Sequence, residues 1–193
     1  MNNKNAIKTE QTKYDIKCAF LQLLEIKKLE DITIREISDI SGYHRSTIYL
    51  YFKNISDILI QIENDILEDF SENLKKEFSK NPPKNLDEFA STVVSAFRNK
   101  SSFYVSQPLP VLLGKNGDMS FYNTVKERLK ACMNEFENER MLTDDYERDY
   151  LIEFVTSGIV SAIRHWFECG MDIPPEMLIG YLAKYMVSMF SNE

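Results

Sequence analysis

The residues best suited to chemistry are bunched in one stretch, TIREISDISGYHRSTIYLYFK (33–53). His44, Arg45, Ser46, Thr47 and Tyr49 sit there almost in succession. Such side chains hydrogen-bond to base edges and phosphates, and aromatic faces can meet thymine methyls. On an ordinary surface helix the same set would simply be solvated, and spacing alone does not separate the two readings. Catalytic chemistry is harder to assemble. His44 and His165 are the only histidines, and neither has a partner at metal-ligand spacing. Cys18, Cys132 and Cys169 are widely separated, with no CxxC pair. No Gly-rich phosphate loop, nucleophile elbow or paired-carboxylate context is found. No catalytic residue, metal or cofactor is therefore expected, and the chain is not expected to be an enzyme. The cysteines read as small core residues in a reducing compartment.

The elements that must position this stretch are helical. The chain has 193 residues, 44% hydrophobic and 27% charged, with six Gly and six Pro, few for the many turns of an all-β protein. Residues 1–12 are polar and expected to be frayed. Ile16, Phe20, Leu23 and Leu24 mark the buried face of a first helix ending near Lys27–Lys28. Thr33 and Glu36 form a capping box opening a second helix, with Ile34, Ile37 and Ile40 inward and Gly42 as its stop. Tyr43–Phe52 reads as a third helix of about two turns. Asn54 caps a long fourth, striped by Ile55, Ile58, Leu59, Ile62, Ile66, Phe70 and Leu74. After the break KNPPKN (80–85), Asn85 and Glu88 open a fifth helix burying Phe89, Val93 and Phe97. A short helix is expected over 101–113, before the turn GKNG (114–117). Another is expected over 118–138, with Phe121, Val125, Leu129, Cys132 and Phe136 in line. Asp144 and Glu147 open a long helix to Cys169, and Pro174–Pro175 start the last. The expected fold is all-α, about nine helices, with a three-helix helix-turn-helix DNA-binding domain at 1–53 and a helical effector-binding and dimerisation domain at 54–193.

Charge follows that division. Residues 1–53 carry nine Lys/Arg against seven Asp/Glu, net +2, and the remainder fourteen against twenty-three, net −9. A slightly basic head on an acidic body fits a protein whose head alone approaches phosphate, although +2 is also ordinary scatter. The N-terminus MNNKNAIKTEQTK has no apolar signal core, and Leu151–Trp166 is too short and too charged to span a bilayer. A cytoplasmic protein without membrane contact is expected.

In its ordered details the segment resembles the DNA-binding signature of the TetR family. The matching features are the capped T-I-R-E-I helix, the Ser41–Gly42 turn, R-S-T-I-Y and the aromatic ending Y-L-Y-F-K, over roughly residues 12–59. The resemblance implies that residues 44–47 face bases and that Tyr49, Tyr51 and Lys53 touch the sugar-phosphate backbone. It further implies that Thr33 binds a phosphate and that Phe52 plugs the small core. Many members carry a second lysine where this chain has Ile55, so one phosphate contact is missing or replaced. SGIVSAIRHWFECGMDIPPEMLIGYL (157–182) resembles the last two helices of many members, which pair with their copies as a four-helix bundle. That implies a homodimer with Gly158, Ser161, Ala162, His165, Leu178, Tyr181 and Tyr185 at the interface; the alternative is that the small residues only fit the chain's own core. LLGKNGDMSFY (112–122) resembles a subset that includes regulators of dihydroxyacetone utilisation.

The resemblance also places an effector pocket within helices four to eight. Phe97, Phe103, Tyr104, Leu112, Met119, Tyr122, Met133 and Trp166 are the candidates to line it, although each equally suits plain core. The expected partners are a double-stranded DNA operator, a second copy of the chain, and a small-molecule effector of unknown identity. The leading expectation is a homodimeric repressor released from a palindromic operator by that effector. The alternatives are a partner-dependent activator, or a small-molecule-binding enzyme with a vestigial head.

Overall fold

The computed structural model describes residues 3–81, 88, 92, 108–114, 119–137 and 144–190, of which 3–5, 135–137, 183 and 186–190 are described by backbone alone. Its regular elements are α1 (Asn3–Ile26), a 3₁₀ turn (Leu29–Asp31), α2 (Ile34–Ser41), α3 (Arg45–Tyr51), α4 (Ile55–Lys80), α5 (Pro108–Leu113), α6 (Met119–Glu137), α7 (Asp145–Glu168) and α8 (Pro175–Phe190). Among the described residues there is no strand. The chain divides into two compact units, Met1–Ile66 and Leu67–Glu193. The division falls inside α4 because the first turns of that helix supply Ile58, Leu59, Ile62 and Ile66 to the first core.

That core is built from one face of each helix. Ile16, Phe20, Leu23 and Leu24 of α1 are buried, as are Ile37 of α2, Ile48 of α3 and Phe52 just beyond it. Two expectations are corrected here. The helix begins at Asn3, so residues 3–12 are not frayed. Local pairing explains it: the Thr12 hydroxyl donates to Lys8 O (2.9 Å), Gln11 to Asp15 (2.8 Å), and Lys13 pairs with Glu10 (3.2 Å). Ile40 is not inward but 45% exposed, while Ile37 is fully buried and Ile34 half-buried. Steps of three residues fall about 60° short of a turn each time, so the isoleucines either side of Ile37 drift off the buried face.

In the second unit α6 and α7 pack along one another and α5 lies against both. Phe121, Val125, Leu129 and Met133 form the buried stripe of α6. Met133, four residues after Leu129, takes the place expected of Cys132, which is half-buried. Cys169 is exposed rather than a core residue, because it follows the last turn of α7. Asp144 caps α7, its carboxylate accepting from the N–H groups of Tyr146 (2.8 Å) and Glu147 (3.3 Å). Gly114 ends α5, and any side chain there would meet Pro110 O at 2.2 Å from its Cβ. Of the expected fifth helix, Glu88 and Thr92 are helical, with the Thr92 hydroxyl donating to Glu88 O (2.7 Å). Phe89, Val93, Phe97 and residues 101–107 lie outside the described residues.

One carboxylate ties α6 to α7. Glu153 accepts from Lys130 (2.8 Å), Lys126 (2.9 Å) and the Ser157 hydroxyl (3.2 Å). The two ammonium groups, Lys130 first, pull its pKa down to about 2. Once unfolded, the carboxyl returns to the ordinary value of 4.5. The unfolded chain therefore binds an extra proton between those values, and the stabilisation is lost as pH falls through that window. Urea midpoints measured from pH 5 to pH 2 should decline less steeply for Glu153→Gln than for the wild type; equal slopes would remove this role for Glu153.

Candidate nucleic-acid interface

The surface around α2 and α3 is shaped by its caps. At the start of α2 the Thr33 Oγ1 accepts from Glu36 N–H (3.3 Å), and Glu36 Oε2 accepts from Thr33 N–H (3.1 Å) and from the Thr33 hydroxyl (2.9 Å). Lys27 completes the set by pairing with Glu36 Oε1. The Lys27 ammonium and the Thr33 hydroxyl hold the Glu36 carboxyl below its ordinary range. At the other end Gly42 adopts φ 75°, and its N–H donates to Ser38 O (3.0 Å). That left-handed turn is the conformation glycine adopts without strain.

Tyr43 then fixes where α3 begins. Its hydroxyl donates to Asp15 Oδ2 of α1 (2.9 Å), its carbonyl accepts from the Ser38 hydroxyl (2.7 Å), and its N–H reaches Ser41 Oγ (3.4 Å). Tyr43 was not among the expected site residues. Nothing local marks it, because its partner lies 28 residues away. After α3 the chain is pinned again. Lys53 N–H donates to Asp57 Oδ2 (2.7 Å), Asn54 Oδ1 accepts from Asp57 N–H (2.8 Å), and Gln61 reaches Tyr51 O (3.4 Å). Lys17 of α1 pairs with Asp65 of α4 across the same unit.

Between these anchors Ile48 of α3 and Phe52 just after it turn inward, 0% and 1% exposed. Thr33, His44, Arg45, Ser46, Tyr49 and Lys53 are exposed, and Thr47 and Tyr51 half-buried. The structure thus gathers seven of the eight expected DNA-facing residues at α3 and its flanks, with Thr33 at the start of α2. Ile55, standing where the resembling family often has lysine, is half-buried at the first position of α4.

The other expected residues are dispersed. Leu112 and Met133 are packed into the second core. Met119 is 51% exposed, and Tyr122 lies half-buried with the Arg164 guanidinium 5.9 Å from its ring centre. The Trp166 indole N–H donates to Ile173 O (2.8 Å), tying the end of α7 to the turn before α8. Phe97, Phe103 and Tyr104 lie outside the described residues. A cavity of about 400 Å³ beside α6 and α7 is lined by Glu127, Lys130, Ala131, Asn134, Asp149 and Ile152, none of them among the eight. Gly158, Ser161, His165, Tyr181 and Tyr185 are exposed, and Ala162 and Leu178 half-buried. Among the described residues no three His, Cys, Asp or Glu side chains gather as a metal set, and no helix is long and apolar enough to cross a membrane.

Residues 84–188, more than half of the chain, match the family described as transcriptional regulator C-terminal region, of TetR type. No curated protein matches the chain by sequence. A TetR transcriptional regulator from Streptococcus agalactiae superposes with TM-score 0.64 at 18% identity, over 94% of this chain and 96% of that one. NalD, the secondary repressor of the MexAB-OprM multidrug efflux pump in Pseudomonas aeruginosa, gives 0.62 at 15%, over 94% and 96%. DhaS, a dihydroxyacetone kinase operon activator, gives 0.57 at 17%, over 92% and 95%. At these identities the likeness is one of fold.

The Tyr43 anchor is open to test without touching the outward face of α3. Tyr43→Phe removes one hydrogen bond to a carboxylate, worth about 1 kcal/mol at a half-buried position. Amides of α2 and α3 should then exchange with solvent roughly fivefold faster. Amides of α7 serve as the internal control, and unchanged exchange in α3 would show that Tyr43 does not hold it.

Proposed function

We propose, since the chain belongs to the TetR family of transcriptional regulators, that it acts as a homodimeric, sequence-specific repressor. Its operator would be palindromic and released when a small molecule binds the helical body. The observation that carries the reading is the outward face of α3. Arg45, Ser46 and Tyr49 stand exposed on a helix anchored by the buried Ile48, and His44 and Lys53 flank it. A short helix presented this way fits the major groove, about 12 Å wide. Arg45, Ser46, Thr47 and His44 would read base edges. Tyr49, Tyr51 and Lys53 would position the head on phosphates, and Thr33, whose N–H and hydroxyl both donate to Glu36, would join them only by releasing one of those bonds.

One such helix grips DNA weakly, and a two-fold pair reads two half-sites about 34–36 Å apart. Two features support pairing through α7. The exposed residues Tyr146 (79%), Tyr150 (78%) and Phe154 (59%) continue along α7 into Gly158, Ser161 and His165 at helical spacing. Among the described residues, nothing lies within 4 Å of where a Cβ on Gly158 would sit, so the chain's own packing does not require glycine there. A second copy pressing on that face would. Effector control would run along α4, which is continuous from the turn after α3 into the second unit. A ligand can shift the heads only by its differential affinity for two states. The same architecture serves activators, as the name of DhaS records, so the sign of regulation is the alternative within this reading.

Two measurements test this. Arg45→Ala should relax sequence preference by roughly 1–3 kcal/mol at one base position. Lys53→Ala should weaken binding to all duplexes and lower the salt slope by about one. A Lys53→Ala protein with altered preference and an intact slope would reverse the assigned roles. For assembly, Gly158→Trp should give a folded monomer by light scattering and circular dichroism, with operator binding lost; a dimeric Gly158→Trp protein would move the interface elsewhere.

A further inference from the structure

The centre of the outward face of α3 is shared by a polar and an apolar residue, Ser46 and Leu50. Each residue turns the helix by 100°, so Leu50 lies about 160° around the axis from the buried Ile48, and Ser46 is its neighbour one turn earlier. Leu50 is 73% exposed, more than Tyr49 at 57%. Arg45 and Tyr49 fall to one side of this line and the half-buried Thr47 and Tyr51 to the other. The head's core is completed by Ile48, Phe52 and their partners without Leu50, so the leucine contributes little to folding there.

We infer that Leu50 is a specificity-determining residue that selects thymine in the operator half-site. The inference rests on the reading of α3 as the groove-inserted helix. A leucine can neither donate nor accept a hydrogen bond. In the major groove every base edge offers donors or acceptors, and the 5-methyl of thymine is the one apolar feature. Against that methyl, Leu50 removes apolar surface from water on both sides. Against a guanine, adenine or cytosine edge it covers polar groups and gives them no partner, which penalises those bases. Ser46, one turn before, can hydrogen-bond the adjacent edge, so the Ser46–Leu50 line reads one polar and one methyl-bearing position side by side.

The test uses the full-length protein and an operator recovered by selection from random duplexes. Each thymine of a half-site is replaced in turn by uracil, which deletes the methyl and leaves the pairing edge intact. For the wild type, one uracil position should weaken binding about fourfold per half-site, the size expected for one buried methyl. Leu50→Ala should bind the thymine operator more weakly and be indifferent to uracil at that position. Leu50→Asn, selected afresh, should recover a base other than thymine there. The head's fold is checked by amide exchange of α2 and α3, which none of these surface variants should alter. Equal uracil penalties in wild type and Leu50→Ala at every thymine, or a half-site with no thymine, would overturn the role of Leu50 while leaving the regulator reading intact. Selection that recovers no preferred sequence would overturn both.

Discussion

The interface depends on one constraint: α3 is too short to exist by itself. A helix of seven residues cannot offset its nucleation cost, and it persists only because something else holds it. Here that something is the burial of Ile48 and Phe52, each worth about 1.5–3 kcal/mol by transfer. Every other feature of the head serves that burial. The Gly42 turn and the bonds of Tyr43 set the entry of α3, and Asn54 and Asp57 set its exit. Because the anchoring side is apolar and internal, the other sides are free to carry polar and charged groups.

The polar contacts behind that face are long-range in sequence, and this divides what was legible from what was not. Caps are local. Thr33 with Glu36, Asn54 with Asp57, and the stop at Gly42 are readable because their partners lie within a few residues, and each appears in the structure. The helical stripe of α4 was equally readable, since a face of period 3.6 needs no knowledge of what it packs against. Failures arose where a neighbouring element decides. Cys132 and Met133 are equally plausible on a written-out stripe of α6, and only the position of α7 chooses Met133. Tyr43 with Asp15 and Lys17 with Asp65 join residues that periodicity cannot connect. The helical start at Asn3 was missed because a polar segment looks frayed until its i to i+4 partners are counted.

Charge in the head is organised rather than abundant. Glu36 stands in the first turn of α2, where on the proposed reading a bare carboxylate would repel phosphate. Lys27 pairs with it, and Thr33 donates to it. The carboxylate therefore serves the helix cap while its charge is largely compensated. A net of +2 over 53 residues looked uninformative because it adds up groups already committed to one another. On the proposed reading, what would reach a nucleic acid is the uncommitted remainder on α3 and its flanks, and composition cannot isolate that remainder.

The same bookkeeping applied to apolar side chains separates the residues the chain uses for itself from those it presents. Stability explains Ile48, Phe52, Leu129 and Ile159, all buried. It does not explain Leu50 on α3, or Tyr146, Tyr150 and Phe154 on α7, which remain more than half exposed. Nor does it explain Gly158, whose missing side chain leaves open space within the described chain. A lone exposed leucine is ordinary on a protein surface. On a two-turn helix it shares with Ser46 the direction opposite the buried Ile48, and if that side enters a groove the leucine must either match an apolar partner or leave a polar one unsatisfied. The aromatic line on α7 faces the same choice against water or against a second copy of itself. In both places the physical account of the residue is incomplete until a partner supplies the other surface. On the proposed reading the two places differ in kind, since one would meet a thymine methyl and the other a repeated helix face, and operator reading and self-association would then draw on separate parts of the sequence.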